Sequence, residues 1–84
     1  MVSFSVMYIL RTHLLEDPNV VFYYKGTAKE HGVPFALNTI VAFNKDEAKK
    51  IQTLDDTLFL CQQLNKDKTT LREYGFEEFV IIVI

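Results

Sequence analysis

The sequence predicts an α+β domain: a small, mainly antiparallel four-stranded sheet in β-β-β-α-β order, with one long helix on one face and a short helical turn before the last strand. Three observations predict it. Apolar residues alternate with period two near the start, a capped amphipathic segment fills the middle, and an unbroken β-branched run closes the sequence. At 84 residues, 49% hydrophobic and 24% charged, the chain reads as a single domain over residues 1–84 with a core of its own, and not as a disordered segment.

The first strand is placed at residues 2–11, where Val2, Phe4, Val6, Tyr8 and Leu10 share one face and Ser3, Ser5, Met7, Ile9 and Arg11 the other. Residues 12–19 end in Glu16-Asp17-Pro18-Asn19 and read as a loop, because Pro fixes φ and Asn tolerates turn geometry. Val20-Val21-Phe22-Tyr23-Tyr24-Lys25 suits a pleated surface and is the second strand. A polar connection over 26–32, with glycine at both ends, leads to a third strand at 35–43.

Asn44 then precedes Lys45-Asp46-Glu47, an N-cap with acidic residues in the first turn. Ala48, Ile51, Leu54, Leu58, Cys61 and Leu64 follow at steps of three and four, so a helix is expected over 45–65. Thr53-Leu54-Asp55-Asp56 is its weak point, because Thr and Asp side chains compete for the backbone, and a break there is the alternative. A single helical turn at 71–74 is expected to end on Gly75. The last strand, Phe79-Val80-Ile81-Ile82-Val83-Ile84, reads as buried on both faces.

Composition narrows the function. Nine Lys and Arg against eleven Asp and Glu give a net charge of −2, the wrong balance for gripping phosphates, so no nucleic-acid partner is expected. The longest stretch without a charged or histidine residue, 32–44, contains Pro34 and Asn38 and is too short to span a bilayer, so no membrane partner is expected either. One cysteine, Cys61, cannot form an intrachain disulfide, which favours the reducing cytoplasm. Cys61 lies on the apolar helical stripe and is expected to be buried and chemically quiet. His13 with Glu16 and Asp17 lacks a distant third ligand, and His31 sits in a hairpin loop; both read as solvated. Gly26, Gly32 and Gly75 are far from phosphate-loop spacing. The reading is therefore non-enzymatic, with no cofactor and no metal.

The last strand raises a different question. Phe79, Ile81 and Val83 face one way, and Val80, Ile82 and Ile84 the other, while one helix covers only one row. Burying an Ile or Val side chain is worth about 1.5–3 kcal/mol, so the second row calls for cover. Three sources of cover stand open: the 13–19 loop with Leu14 and Leu15, a second copy of the chain, or another protein. Which row meets the helix is not written in the sequence, because both are equally apolar. Tyr23, which points away from Phe22 and Tyr24, is a further contact candidate, since Tyr is enriched at interfaces. The candidate partner-binding residues are thus Tyr23, Val80, Ile82 and Ile84, and a homodimer or larger is expected at micromolar concentration.

Tyr23-Tyr24-Lys25-Gly26 in a hairpin, followed by Ala42-Phe43-Asn44 leading into Glu47-Ala48-Lys49-Lys50-Ile51, resembles short accessory proteins of bacteriophages and prophages of Gram-positive bacteria. Many of those act by binding: some inhibit host enzymes, and some block host defence, including CRISPR nucleases. The resemblance implies a phage-encoded inhibitor of a host protein and assigns no residue to its site. Alternative readings are a small-molecule or nucleotide binder using a pocket beside the aromatic hairpin, and a purely structural homo-oligomer.

Overall fold

A computed structural model describes residues 6–27, 39–66 and 68–84. Strands β1 (Tyr8–His13), β2 (Val21–Thr27), β3 (Thr39–Ala42) and β4 (Val80–Val83) form one antiparallel sheet in the order β3-β2-β1-β4. Helices α1 (Leu54–Asn65) and α2 (Lys68–Glu73) lie between β3 and β4 in the chain. The α+β architecture stands as expected from the sequence. The starts of the expected first and third strands, with Val2 and Phe4 and with residues 35–38, lie outside the described residues, as do His31 and Gly32.

β1 continues past Arg11 to His13, where a loop was expected from Thr12. The reason is partnership on both sides: Arg11, Thr12 and His13 pair with Tyr23, Phe22 and Val21, and the His13 carbonyl accepts from Glu77 N–H at 2.9 Å. A polar side chain does not keep a backbone out of a central strand when its own polar atom is satisfied. Thr12 is buried, and its hydroxyl donates to the Glu77 carbonyl. In β2 the register shifts between Tyr24 and Gly26, a bulge that sets Lys25 out of the ladder. Gly26, at φ 145°, takes a backbone angle that a side chain disfavours.

The continuous helix over 45–65 does not form. Lys45–Glu47 makes a 3-10 turn, with Asn44 Oδ1 accepting from Asp46 N–H at 3.0 Å. The chain then extends, because the sheet offers it better partners than a helix would. Lys49 N–H donates to the Tyr24 carbonyl at 2.8 Å, and Ile51 exchanges two 2.9 Å bonds with Tyr8. The helix restarts after Thr53, whose side chain caps Asp56 N–H at 3.2 Å, so the break falls at the weak point in the sequence. The restart also turns the apolar stripe: Thr57 is fully buried, while Leu54 and Leu58 are exposed.

After α2 the chain reverses at Gly75, φ 85°, with Gly75 N–H on the Arg72 carbonyl and Phe76 N–H on the Leu71 carbonyl, both at 2.9 Å. These two bonds are the Schellman arrangement that a glycine permits. The core gathers Leu10, Tyr24 and Phe79, with Leu60, Cys61 and Leu64 of α1, Leu71 of α2, and Val41, Ile51 and Ile81 packed against them. Tyr24 and Phe79 meet edge to face, centroids 6.3 Å apart.

β4 is an edge strand and not a doubly buried one. Phe79 is 3% exposed and Ile81 is half-buried against the helices, but Val80, Val83 and Ile84 are 48%, 63% and 40% exposed. An apolar run is buried on both faces only with neighbours on both sides and a layer on each face. Here β1 lies on one side, and among the described residues both helices pack against the Leu10, Tyr24 and Phe79 cluster on one face.

Candidate functional site

The pairing register brings the sequence candidates together. Val80 pairs with Arg11, Arg11 with Tyr23, and Tyr23 with Ala42, so these residues form one cross-strand row on the face opposite Leu10 and Tyr24. Tyr23 therefore lies about 10 Å from Val80, two strand spacings away. Ile82 pairs with Ile9 in the next row of the same face, and Ile84 follows beyond it. Ile9 is fully buried and Ile82 half-buried, so this face is open mainly along β4 and around the half-buried Tyr23 and Arg11. Arg11 was not singled out from the sequence. Its place between a tyrosine and a valine follows from register, which one strand's sequence does not reveal.

The free edge of β4 is defined by hydrogen bonding. Ile84 N–H donates to the Met7 carbonyl at 2.9 Å, and Met7 N–H donates back to the Ile84 carbonyl at 3.4 Å. Antiparallel pairs alternate, so the backbone groups of Val80 and Ile82 also point to β1, while those of Phe79, Ile81 and Val83 point outward. Phe79 is already closed. Its N–H donates to Asn65 Oδ1 at 2.7 Å, and its carbonyl accepts from Asn65 Nδ2 at 3.0 Å. The Asn65 amide thus stands where another strand's peptide would. The outward groups of Ile81 and Val83 have no partner among the described residues.

The Phe79 carbonyl also accepts from Cys61 Sγ at 3.4 Å, so the α1 line through Cys61 and Asn65 faces β4. Leu58 and Leu54, three and seven residues before Cys61, continue that line beside the strand edge and are exposed. Cys61 itself is half-buried, a correction to the full burial expected of it, because the turned stripe leaves it at the side of α1. Burial nevertheless pushes its thiol above the ordinary value, the Asn65 hydrogen bond opposes the rise, and the Glu78 carboxylate adds to it. The thiolate fraction at neutral pH is correspondingly small. Native protein at pH 7 should therefore react with a thiol reagent at least about ten-fold more slowly than urea-unfolded protein, with the gap narrowing as pH rises. Equal rates at pH 7 would contradict this environment.

His13, Glu16 and Asp17 do not converge. His13 lies in β1, and Asp17 Oδ1 accepts from Asn19 N–H at 3.0 Å within the loop. Among the described residues no group of three or more His, Cys, Asp or Glu is placed to hold a metal, and no helix is long and apolar enough to cross a membrane. An open hollow of about 450 Å³ lies between the loop and α2, with Leu14, Leu15, Glu16, Arg72, Glu73 and Tyr74 in its walls. The fold and these surfaces define a small α+β domain with an open-edged sheet and a mixed apolar, aromatic and cationic face. Compared with known proteins, the chain matches no family model, no curated protein and no solved structure.

Proposed function

We propose that the chain is a non-enzymatic protein-binding module that engages its partner with the outer sheet face. One observation carries this reading: Val80, Arg11 and Tyr23 stand in one cross-strand row on the face away from the helices, with Ile82 and Ile84 beside them. Tyr and Arg are the residue types that anchor protein interfaces, and the apolar residues around them supply the area that excludes water. The resemblance of the 23–26 and 42–51 segments to phage accessory proteins adds that the partner is a host protein, such as an enzyme or a defence nuclease; that finer reading rests on the resemblance alone. The single unpaired cysteine supports action in the reducing cytoplasm.

Immobilised chain should retain a stoichiometric protein from a bacterial lysate. Tyr23→Ala should weaken that capture about ten-fold or more, a loss of about 1.4 kcal/mol. Phe59→Ala, on the exposed side of α1, should leave it unchanged. Circular dichroism of both variants separates lost contact from lost fold. Equal capture by wild type and a folded Tyr23→Ala chain would remove the outer face from the reading. A second reading, small-molecule binding, is favoured by the hollow, whose walls carry Arg72 together with Glu16 and Glu73. A thermal-shift screen that raises Tm, with the shift abolished by Arg72→Ala, would decide for it.

A further inference from the structure

We infer that β4 pairs with β4 of a second copy of this chain, antiparallel and centred on Ile82, joining two sheets into one of eight strands. The open edge supplies the argument. Only Ile81 and Val83 present unpartnered outward backbone groups among the described β4 residues, and they lie two apart, the spacing of successive hydrogen-bonded pairs. With Ile82 on the two-fold axis, Ile81 of each copy meets Val83 of the other, and both residues exchange both bonds. A register centred on Ile81 instead sets each Val83 opposite Phe79, whose N–H and carbonyl Asn65 already holds. The Asn65 cap thus selects the register, and it also stops pairing from running on past Phe79.

Identical copies carry identical charges, so a self-pairing edge must be free of them. Residues 79–84 contain no ionisable side chain, and Glu77 and Glu78 lie beyond the Asn65 cap, outside the overlap. The side chains match as well. Val80 meets Ile84 and Ile82 meets Ile82 on the outer face, while Ile81 meets Val83 on the helix face; β-branched cross-strand pairs of this kind stabilise sheets. The α1 lines carrying Leu54 and Leu58 flank the seam on the helix side. Val80, Val83, Ile84, Leu54 and Leu58 together expose an area on the order of 400 Å² per copy. Even counted twice, this falls below the roughly 1,200 Å² of standard stable interfaces, so the pair is a reversible one that separates on dilution. The pairing stands on the strand edge and not on the outer-face reading, so either can fail alone.

Sedimentation between about 1 and 500 µM should show the mass rising from 9.8 kDa toward twice that value. Val83→Pro removes an N–H that no described residue accepts, and proline is tolerated on an edge strand, so this variant should stay folded and monomeric throughout. Where Val83→Pro perturbs the circular dichroism spectrum, Val83→Lys, which sets charges near one another across the axis, serves the same purpose. In a Cys61→Ala background, Ile82→Cys should form an intermolecular disulfide on mild oxidation, because that residue sits opposite itself in a close, non-hydrogen-bonded pair; Ile81→Cys should not. A monomer across the whole range, a dimer that survives a folded Val83→Pro or Val83→Lys chain, or preferential linkage through Ile81→Cys would each overturn the pairing. Capture of a host protein by monomeric Val83→Pro would leave the outer-face reading intact.

Discussion

Phe79→Ala should remove about a quarter or more of the chain's stability and move its urea midpoint sharply down at 25 °C. Phe79 is 3% exposed and meets Tyr24 edge to face in the centre of the core. Phe-to-Ala truncation at such a site costs about 3–5 kcal/mol through lost transfer energy and the cavity left behind. A chain of this length holds only about 4–13 kcal/mol in total. The adjacent residue provides the control. Val80 points to the other face and is 48% exposed, so Val80→Ser should cost about 1 kcal/mol or less. The same asymmetry should separate Ile81→Ser, which places a hydroxyl against the helices, from Ile82→Ser on the outer face. Far-ultraviolet circular dichroism with urea titration reads all four. Equal losses from Ile81→Ser and Ile82→Ser would mean that both rows of β4 are buried alike within one chain.

Asn65→Leu should cost about 2 kcal/mol and deprotect one backbone position. The side chain makes two hydrogen bonds to Phe79, and leucine makes neither. Each bond contributes about 0.5–1.5 kcal/mol net, and a backbone group left without a partner costs more. Asn65→Asp should lose less than Asn65→Leu, because it keeps the acceptor for Phe79 N–H while losing the donor to the carbonyl. Amide hydrogen exchange gives the specific readout. The Phe79 amide should exchange much faster in Asn65→Leu, while Leu10 in the central strand keeps its protection. An unchanged Phe79 amide would show that something other than Asn65 closes that edge.

Much of this fold is legible residue by residue. The β-branched and aromatic content of 20–25, the capping Asn44, the Thr and Asp residues at 53–56 and Gly75 each mark an element or a boundary where the structure has one. The candidate face is legible in part. Tyr23, Val80, Ile82 and Ile84 can be read from alternation, and the register places them on one face. Arg11 could be read onto the face of Ile9, but its alignment with Tyr23 and Val80 was hidden because that row is set by strands on both sides of it. Asn65 was hidden because, in the sequence, it is one more polar residue at a helix end. Leu54 and Leu58 were read as inward because the stripe was counted from Ala48 through a helix that breaks before Thr53.

The dividing line follows the range of the forces. Propensities, caps and the positive φ at Gly75 are local backbone energies, and they act wherever the same few residues stand together, so the sequence by itself determined the kinds of element and most of their boundaries. Which of two equally apolar rows of β4 turns inward is not a local matter. It was decided by where α1 lands, and α1 lands where it does because residues 49–51 leave the helical path to bond with Tyr24 and Tyr8. The tertiary structure alone therefore decided that β4 is an edge, that Phe79 and Ile81 face the core, and that Asn65 closes one position of that edge while Ile81 and Val83 keep theirs open.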